Sequence, residues 1–164
     1  MLTPLRAGAV AIVGLATVVC TAGGGAPASD AAPSIERMEA DLVRRVNAAR
    51  RERALTALKT DRALASAARA YSCRMAAERF LGHEAPDGST LADRIRATGK
   101  PYRLLGENLA MNVNAADPVA AAVTGWMKSE SHRENILRAE FTETGVGICR
   151  RDTRHYFTQL FLRP

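Results

Sequence analysis

Three short polar segments of the chain carry the residue types that could do chemistry. They contain His83, Glu107 and His132, and so hold two of the three histidines of the chain. Each of these histidines lies about as far along the chain from Glu107 as the other. Two neutral imidazoles and a carboxylate are a sufficient set of ligands for a divalent metal. The same groups could equally serve as general acid and base around a hydrolysable bond.

The order and spacing of the segments resemble the CAP superfamily, which comprises the cysteine-rich secretory proteins, antigen 5 and the pathogenesis-related proteins. The residues that carry the resemblance are the loop 80–88, the Gly-Glu-Asn triplet 106–108, the stretch 126–137, the Gly-Val-Gly-Ile segment 145–148 and the strand 156–159. The short bacterial members are the most similar. The resemblance implies an α-β-α sandwich, with a small antiparallel sheet between helical layers, and a cleft lined by two histidines and two glutamates.

The chain departs from that cleft pattern at one position. His83 matches the first histidine of the family, Glu107 the first glutamate and His132 the second histidine. Ser129 stands where the second glutamate is expected, and Glu130 beside it should point elsewhere from a helix. The resemblance therefore implies that the cleft requires no cofactor and binds zinc only weakly and reversibly, through His83, Glu107 and His132.

Each candidate residue also has a purely structural interpretation. His83 could brace a turn, His132 could bond a helix terminus, and Glu107 could accept backbone amides at the start of a strand. Asn108 and Asn135 are interpreted as structural bridges rather than as catalysts. His155, on a predicted strand, is interpreted as a residue of the surface or of a rim, and Trp126 as part of the core.

Periodicity and capping signals predict the elements that must position these residues. Helices before, between and beside a few late strands indicate the α+β class. The predicted elements are a helix at 34–50, a helix from its cap Asp61 to about Phe80, a short helix opened by a capping box at Thr90–Asp93, a strand at 104–113, a helix behind Asp117-Pro118, a helical turn opened by a capping box at Ser131–Glu134, and strands at 144–149 and 155–162.

The N-terminus has the pattern of an export signal. Arg6 supplies a positive start, residues 7–19 are apolar, and Ala26-Pro27-Ala28 offers small residues to a signal peptidase. We therefore expect a secretory signal at 1–28, a linker at 29–33 and one domain at 34–164. The mature chain would then be extracellular or periplasmic, with no transmembrane segment; the alternative is a retained anchor.

Cysteine usage agrees with export. The chain has three cysteines, and removal of the signal would leave Cys73 and Cys149. An even pair in an exported protein predicts one disulfide. The alternative is two buried free thiols.

The charge balance is basic, with 23 Lys and Arg against 17 Asp and Glu. We interpret the arginines crowding the first helix and its exit as a solvated helix face; they are Arg44, Arg45, Arg50, Arg51 and Arg53. Such a surface could also attract anionic lipids or an acidic envelope polymer. Nucleic acid is not expected as a partner, because no aromatic residues interleave the charges.

Common enzyme signatures are missing from the sequence. It has no H-E-x-x-H, no G-x-S-x-G and no glycine-rich phosphate loop. The family resemblance implies lipid or sterol binding for some members. The leading hypothesis is a monomeric secreted protein that binds such a small amphipathic ligand, or an envelope component, without turning it over. The alternatives are a metal-assisted hydrolase of peptide or cell-wall substrates and a structural or adhesive extracellular module.

Overall fold

The computed structural model describes residues 33–164. Its helices are α1 (Ile35–Arg51), α2 (Arg62–Glu78), α3 (Leu91–Arg96), α4 (Pro118–Lys128) and α5 (Glu130–Leu137), and its strands are β1 (Lys59–Thr60), β2 (Leu104–Val113), β3 (Glu143–Arg151) and β4 (Arg154–Arg163). The expected secretory signal at 1–28 and all but the last residue of the linker lie outside the described residues. Among the described helices, none combines the length and the apolar character needed to span a membrane.

Three of the predicted helix starts are confirmed. The side chain of Asp61 accepts a hydrogen bond from the backbone of Leu64, and Asp117 caps α4 in the same way, with proline at its first position. Thr90 and Asp93 form the predicted capping box of α3. These caps satisfy backbone N–H groups that have no partner inside the helix.

The capping box predicted at Ser131–Glu134 is wrong. Helix α5 begins at Glu130, its N-cap is Ser129, and no side-chain cap bond forms. The reason is that the Ser129 hydroxyl lies 2.8 Å from Nδ1 of His132 and is engaged there instead.

The four strands form one sheet in the order β1-β3-β4-β2. Strands β2, β4 and β3 pair antiparallel, as the fold class predicts, and β1 adds a two-residue parallel edge beside β3. The parallel strand arises because the chain passes along β3 on its way into α2, where the backbone N–H groups of Lys59 and Asp61 donate to the carbonyls of Thr142 and Thr144. The α+β sandwich is confirmed with this addition.

Helix α2 covers one face of the sheet at very short range. A Cβ atom added to Gly147 would lie 1.9 Å from the backbone nitrogen of Arg69, and one added to Gly145 would lie 2.2 Å from the carbonyl carbon of Leu64. Ser72 bonds the carbonyl of Gly147 at 2.9 Å. Glycine is therefore required on β3 for the helix to approach this closely.

The other face of the sheet packs against α1, α4 and α5. Trp126 is buried there, as predicted, and its indole Nε1 donates to the carbonyl of Leu109 at 2.9 Å. The main core cluster comprises Met38, Leu42, Val46, Leu58, Val119, Ala122, Trp126, Ile136, Phe141, Val146, Ile148, Phe157 and Phe161. With helices on both faces, the sheet is the middle layer of the sandwich.

The interpretation of the arginines of the first helix as a solvated face is wrong for Arg50. Its side chain is fully buried. Its guanidinium donates to the carbonyls of Thr56, Ile136 and Arg138 at 2.7–2.9 Å and to that of Phe141 at 3.3 Å. One cation thus satisfies the backbone on both sides of α1, and burial lowers the pKa of Arg50.

Cys73 and Cys149 form the predicted disulfide. Their Cα atoms are 4.9 Å apart, and the bridge joins α2 to β3 across 76 positions of the chain. The separation lies within the range that an unstrained bridge spans.

Candidate functional site

Glu107 is placed by the alternation of β2. It pairs with Leu160 of β4, and its side chain lies on the α2 face of the sheet, where it is only 2 % exposed. A carboxylate buried to this degree must be paired or hydrogen-bonded. Its partners therefore decide what it can do.

The first partner of Glu107 is His83. The Nδ1 atom of His83 lies 2.8 Å from Oε1 of Glu107, and because an ionised carboxylate can only accept, Nδ1 donates. The loop that carries His83 is held by Tyr71, whose hydroxyl donates to the carbonyl of Gly82 at 2.6 Å. The hydrogen bond from His83 to Glu107 raises the pKa of His83, against the opposing effect of burial.

The second partner is Arg94, which sequence reasoning missed. Its Nη2 atom lies 2.7 Å from Oε2 of Glu107 and 3.1 Å from the carbonyl oxygen of His83. Its guanidinium also stacks over the ring of Tyr71, 3.5 Å from the ring centroid. Nothing in the sequence distinguishes Arg94 from Arg96 on the same short helix, which pairs with Asp93 at the surface.

His132 approaches the same place from α5, but among the described residues it forms no hydrogen bond with Glu107. Its Nδ1 atom is bonded to Ser129, and its backbone carbonyl accepts from Nδ2 of Asn108 at 3.0 Å. Burial lowers the pKa of His132, and the nearby charge of His83 lowers it further. His132 therefore responds to the charge of His83, and the pKa values of the two imidazoles shift in opposite directions.

Two asparagines join the elements beneath the cleft. Nδ2 of Asn135 donates to Oδ1 of Asn108 at 3.0 Å and to the backbone carbonyl of Glu107 at 3.2 Å. Their interpretation as structural bridges agrees with these bonds. They tie α5 to the exposed edge of β2, which brings Glu107 and His132 to one end of the molecule.

The arrangement does not fit a three-ligand metal site. Within residues 33–164, no group of three or more His, Cys, Asp or Glu side chains is placed to hold a metal ion. At the cleft, both oxygens of Glu107 already accept a hydrogen bond, one from His83 and the other from Arg94. Ser129, at the position of the family's second glutamate, adds a hydroxyl and no charge, and Glu130 is exposed.

A groove opens beside this network. It lies between α2 and α3, has a volume of about 480 Å³, and shares Tyr71 and Arg94 with the cleft. Most of the remaining wall is alanine, with Ala63, Ala67, Ala70 and Ala97 among the lining residues. Leu81, two residues before His83, is a large apolar side chain left 50 % exposed.

His155 lies away from the cleft. It pairs with Asn112 and so belongs to the opposite face of the sheet from Glu107. It lines a separate cavity of about 660 Å³ beside α1 and the start of α4. Its interpretation as a rim residue agrees with this position.

Comparison with known proteins identifies relatives of the chain. The sequence profile of the CAP, cysteine-rich secretory protein family matches residues 43–161. The protein YkwD of Bacillus subtilis (strain 168) is 33 % identical over 134 residues, which cover 82 % of this chain and 50 % of YkwD. The membrane protein YlbC of the same strain is 30 % identical over 76 % of this chain and 34 % of its own length. The chain thus spans half or less of the length of these curated relatives.

Solved structures share the fold. An extracellular protein containing an SCP domain from Bacillus anthracis superposes with a TM-score of 0.70 at 31 % identity, covering 79 % of this chain and 41 % of that one. An outer surface protein from Borrelia burgdorferi superposes with a TM-score of 0.72 at 22 % identity, covering 80 % of this chain and 96 % of that one. The α-β-α sandwich is common to all three chains.

Proposed function

The chain belongs to the CAP family of cysteine-rich secretory proteins, and we propose that it is an exported protein that binds a small amphipathic ligand without turning it over. The polar head of the ligand lies at His83 and its apolar part lies in the groove between α2 and α3. Export is supported by the signal-like N-terminus and by the Bacillus anthracis relative, which is described as extracellular.

The observation that carries this proposal is the complete engagement of the Glu107 carboxylate. With His83 bonded to one oxygen, Arg94 bonded to the other and only 2 % of the side chain exposed, Glu107 is shielded from water, which disfavours a role as general base or metal ligand. What it does is orient His83 and favour its protonated form. Nε2 of His83 is then a hydrogen-bond donor on a side chain that is 62 % exposed, which suits an anionic or carbonyl-bearing head group.

The adjoining groove supplies the apolar complement. Its alanine wall continues from Tyr71 and Arg94, so a ligand whose head contacts His83 can lay a hydrocarbon segment along α2. A few polar groups beside a mostly apolar wall are typical of sites for small amphipathic molecules.

A fluorescent fatty acid tests the proposal directly. The described domain should bind cis-parinaric acid, and Ala70→Trp, which fills the groove from an exposed position, should weaken binding at least about tenfold, since it removes the burial of several methylene groups. Ala121→Trp, at an exposed position of α4, is the matched control and should bind like the wild type. Equal binding by all three proteins would contradict the proposed groove.

Hydrolysis is the second candidate, and one contact favours it. Ser129 Oγ lies 2.8 Å from Nδ1 of His132, an imidazole whose pKa is lowered and which is therefore neutral near neutral pH. An ester of the same fatty acid distinguishes the two functions. If the wild type forms product, Ser129→Ala does not and Ser131→Ala still does, then the protein turns its ligand over and the binding proposal is wrong.

A further inference from the structure

A second cavity lies on the same face of the sheet as Glu107, further along β2. Met111 follows Glu107 by four positions, so the two side chains share a face and lie about 13 Å apart along the strand. The cavity has a volume of about 410 Å³ and is lined by Arg79, Met111, Arg151, Asp152, Arg154 and Tyr156. It is separate from the His83 cleft and shares no residue with it.

Three arginines and one carboxylate, that of Asp152, line this cavity, and among the described residues none of the three arginines forms an ion pair with it. Arg151 is fixed in place, because its Nη1 atom donates to the carbonyls of Ala76 and Ala77 at 2.7 Å each. It thereby satisfies the last turn of α2, whose C-terminal cap is Arg79 itself. Within residues 33–164, none of the ion pairs involves Arg79, Arg151 or Arg154.

One arginine of α2 outside this cavity is neutralised. Arg74, one turn and a half before Arg79 on α2, pairs with both Glu78 and Asp87. The contrast matters because like charges that share a cavity repel one another and destabilise the folded state. Asp152 offsets one of the three positive charges of the lining, and a bound anion would offset the remainder.

The apolar part of the lining narrows the class of ligand. Met111 is 38 % exposed, and Tyr156, its partner on β4, is buried. Val113, outside the lining but next on this face of β2, is 45 % exposed. Guanidinium groups bind phosphate through paired hydrogen bonds, and several of them suit its multiple charge. The geometry points to a binding site for a phosphate group that carries a small apolar substituent.

Phenyl phosphate and two arginine variants test the site. Isothermal titration calorimetry of residues 33–164 should detect binding of phenyl phosphate. In a separate thermal denaturation, phenyl phosphate should raise the melting temperature more than sodium chloride of matched ionic strength does. The double variant Arg79→Gln/Arg154→Gln should bind at least about tenfold more weakly, the usual cost of losing charge-assisted hydrogen bonds. Both residues are exposed, and Arg151 is left intact so that α2 keeps its C-terminal partner.

Arg37→Gln is the matched control, because Arg37 is exposed on α1 and takes part in none of the ion pairs. It should bind like the wild type. Phosphatidylcholine vesicles with and without phosphatidylglycerol form a second arm. Binding to the anionic vesicles alone, lost in the double variant, would assign the phosphate to a lipid head group; binding of phenyl phosphate alone would assign it to a soluble ligand.

Three results would overturn the inference. The first is a double variant that binds phenyl phosphate as tightly as the wild type does. The second is a rise in melting temperature with sodium chloride equal to that with phenyl phosphate. The third is no binding of either phenyl phosphate or the anionic vesicles. Because neither variant touches His83, Glu107 or the groove beside α3, these results bear on this site and leave the fatty acid experiment unaffected.

Discussion

His83 Nδ1 and Glu107 Oε1 lie 2.8 Å apart, and this contact fixes the chemical character of the cleft. It orients the imidazole from an otherwise irregular loop and leaves Nε2 as the ring nitrogen that can meet a ligand. Arg94 completes the arrangement by holding the other oxygen of the same carboxylate. Nε2 therefore donates to a ligand when the ring is protonated and accepts from one when the ring is neutral.

Glu107→Gln should lower the pKa of His83. The substitution removes the negative charge that favours the imidazolium, while the shape of the side chain is kept. Proton NMR titration of the three histidines measures the effect. His155, on the opposite face of the sheet, is the internal control and should titrate unchanged; an unaltered His83 would show that Glu107 does not set its pKa.

The same contact should make stability depend on pH. Because the pKa of folded His83 is raised above its value of about 6.5 in the unfolded chain, its stabilising contribution is complete below that pH and is lost as the pH rises through the folded pKa. Chemical denaturation should therefore show a larger difference between wild type and Glu107→Gln at pH 6 than at pH 9. A difference that grows with pH would reverse this assignment.

Arg50→Met should destabilise the domain by about 3 kcal/mol. The substitution keeps an unbranched side chain in the core but leaves buried carbonyls at Thr56, Ile136 and Phe141 without their donor. Urea denaturation measures the loss. Arg51→Met is the neighbouring control, and because Arg51 is exposed its effect should stay within about 0.5 kcal/mol.

Gly147→Ala should be among the most damaging single substitutions in the domain. The added methyl group would meet the backbone of α2 at 1.9 Å, and since neither element can yield, the cost should exceed about 3 kcal/mol. Gly125→Ala is the matched control, because nothing lies within 4 Å of the new atom. In the interior of α4 it should add about 0.5–1 kcal/mol of stability, as thermal denaturation would show.

Replacing both cysteines by serine should cost about 4 kcal/mol, because the bridge between Cys73 and Cys149 restricts a loop of 76 positions in the unfolded chain. Guanidinium denaturation of the two proteins gives the difference. A thiol assay on the unreduced, denatured wild-type domain should find neither sulfhydryl. Reactivity at both positions would show that the bridge does not form.

The mature N-terminus should lie near Ser29. Arg6, the apolar run 7–19 and the small residues 26–28 form a signal with its cleavage site after Ala28. Edman sequencing of protein recovered from the culture medium or the periplasm measures this. Secreted material that still begins at Met1 would contradict the prediction.

Local sequence signals sufficed for much of the framework. Asp61 and Asp117 mark helix starts because a capping side chain bonds a backbone group only three residues away. The strand at Leu104–Val113 has the same bounds in the sequence and in the structure. The disulfide was predicted from the number of cysteines, since only Cys73 and Cys149 remain after the expected cleavage of the signal.

The chemistry of the cleft was decided by tertiary structure. In the sequence, Arg94 is indistinguishable from a surface arginine of a short helix, and only the packing of α3 beside α2 brings it to Glu107. Arg50 belongs to a charged stretch of the sequence, and only the packing of residues 136–141 against it buries its side chain. Such contacts join residues 13 and 86 positions apart. A charged side chain takes its role from the partners that burial imposes. The sequence therefore identified His83 and Glu107 as residues of one cleft, and only the packing of α3 showed that both oxygens of Glu107 are hydrogen-bonded.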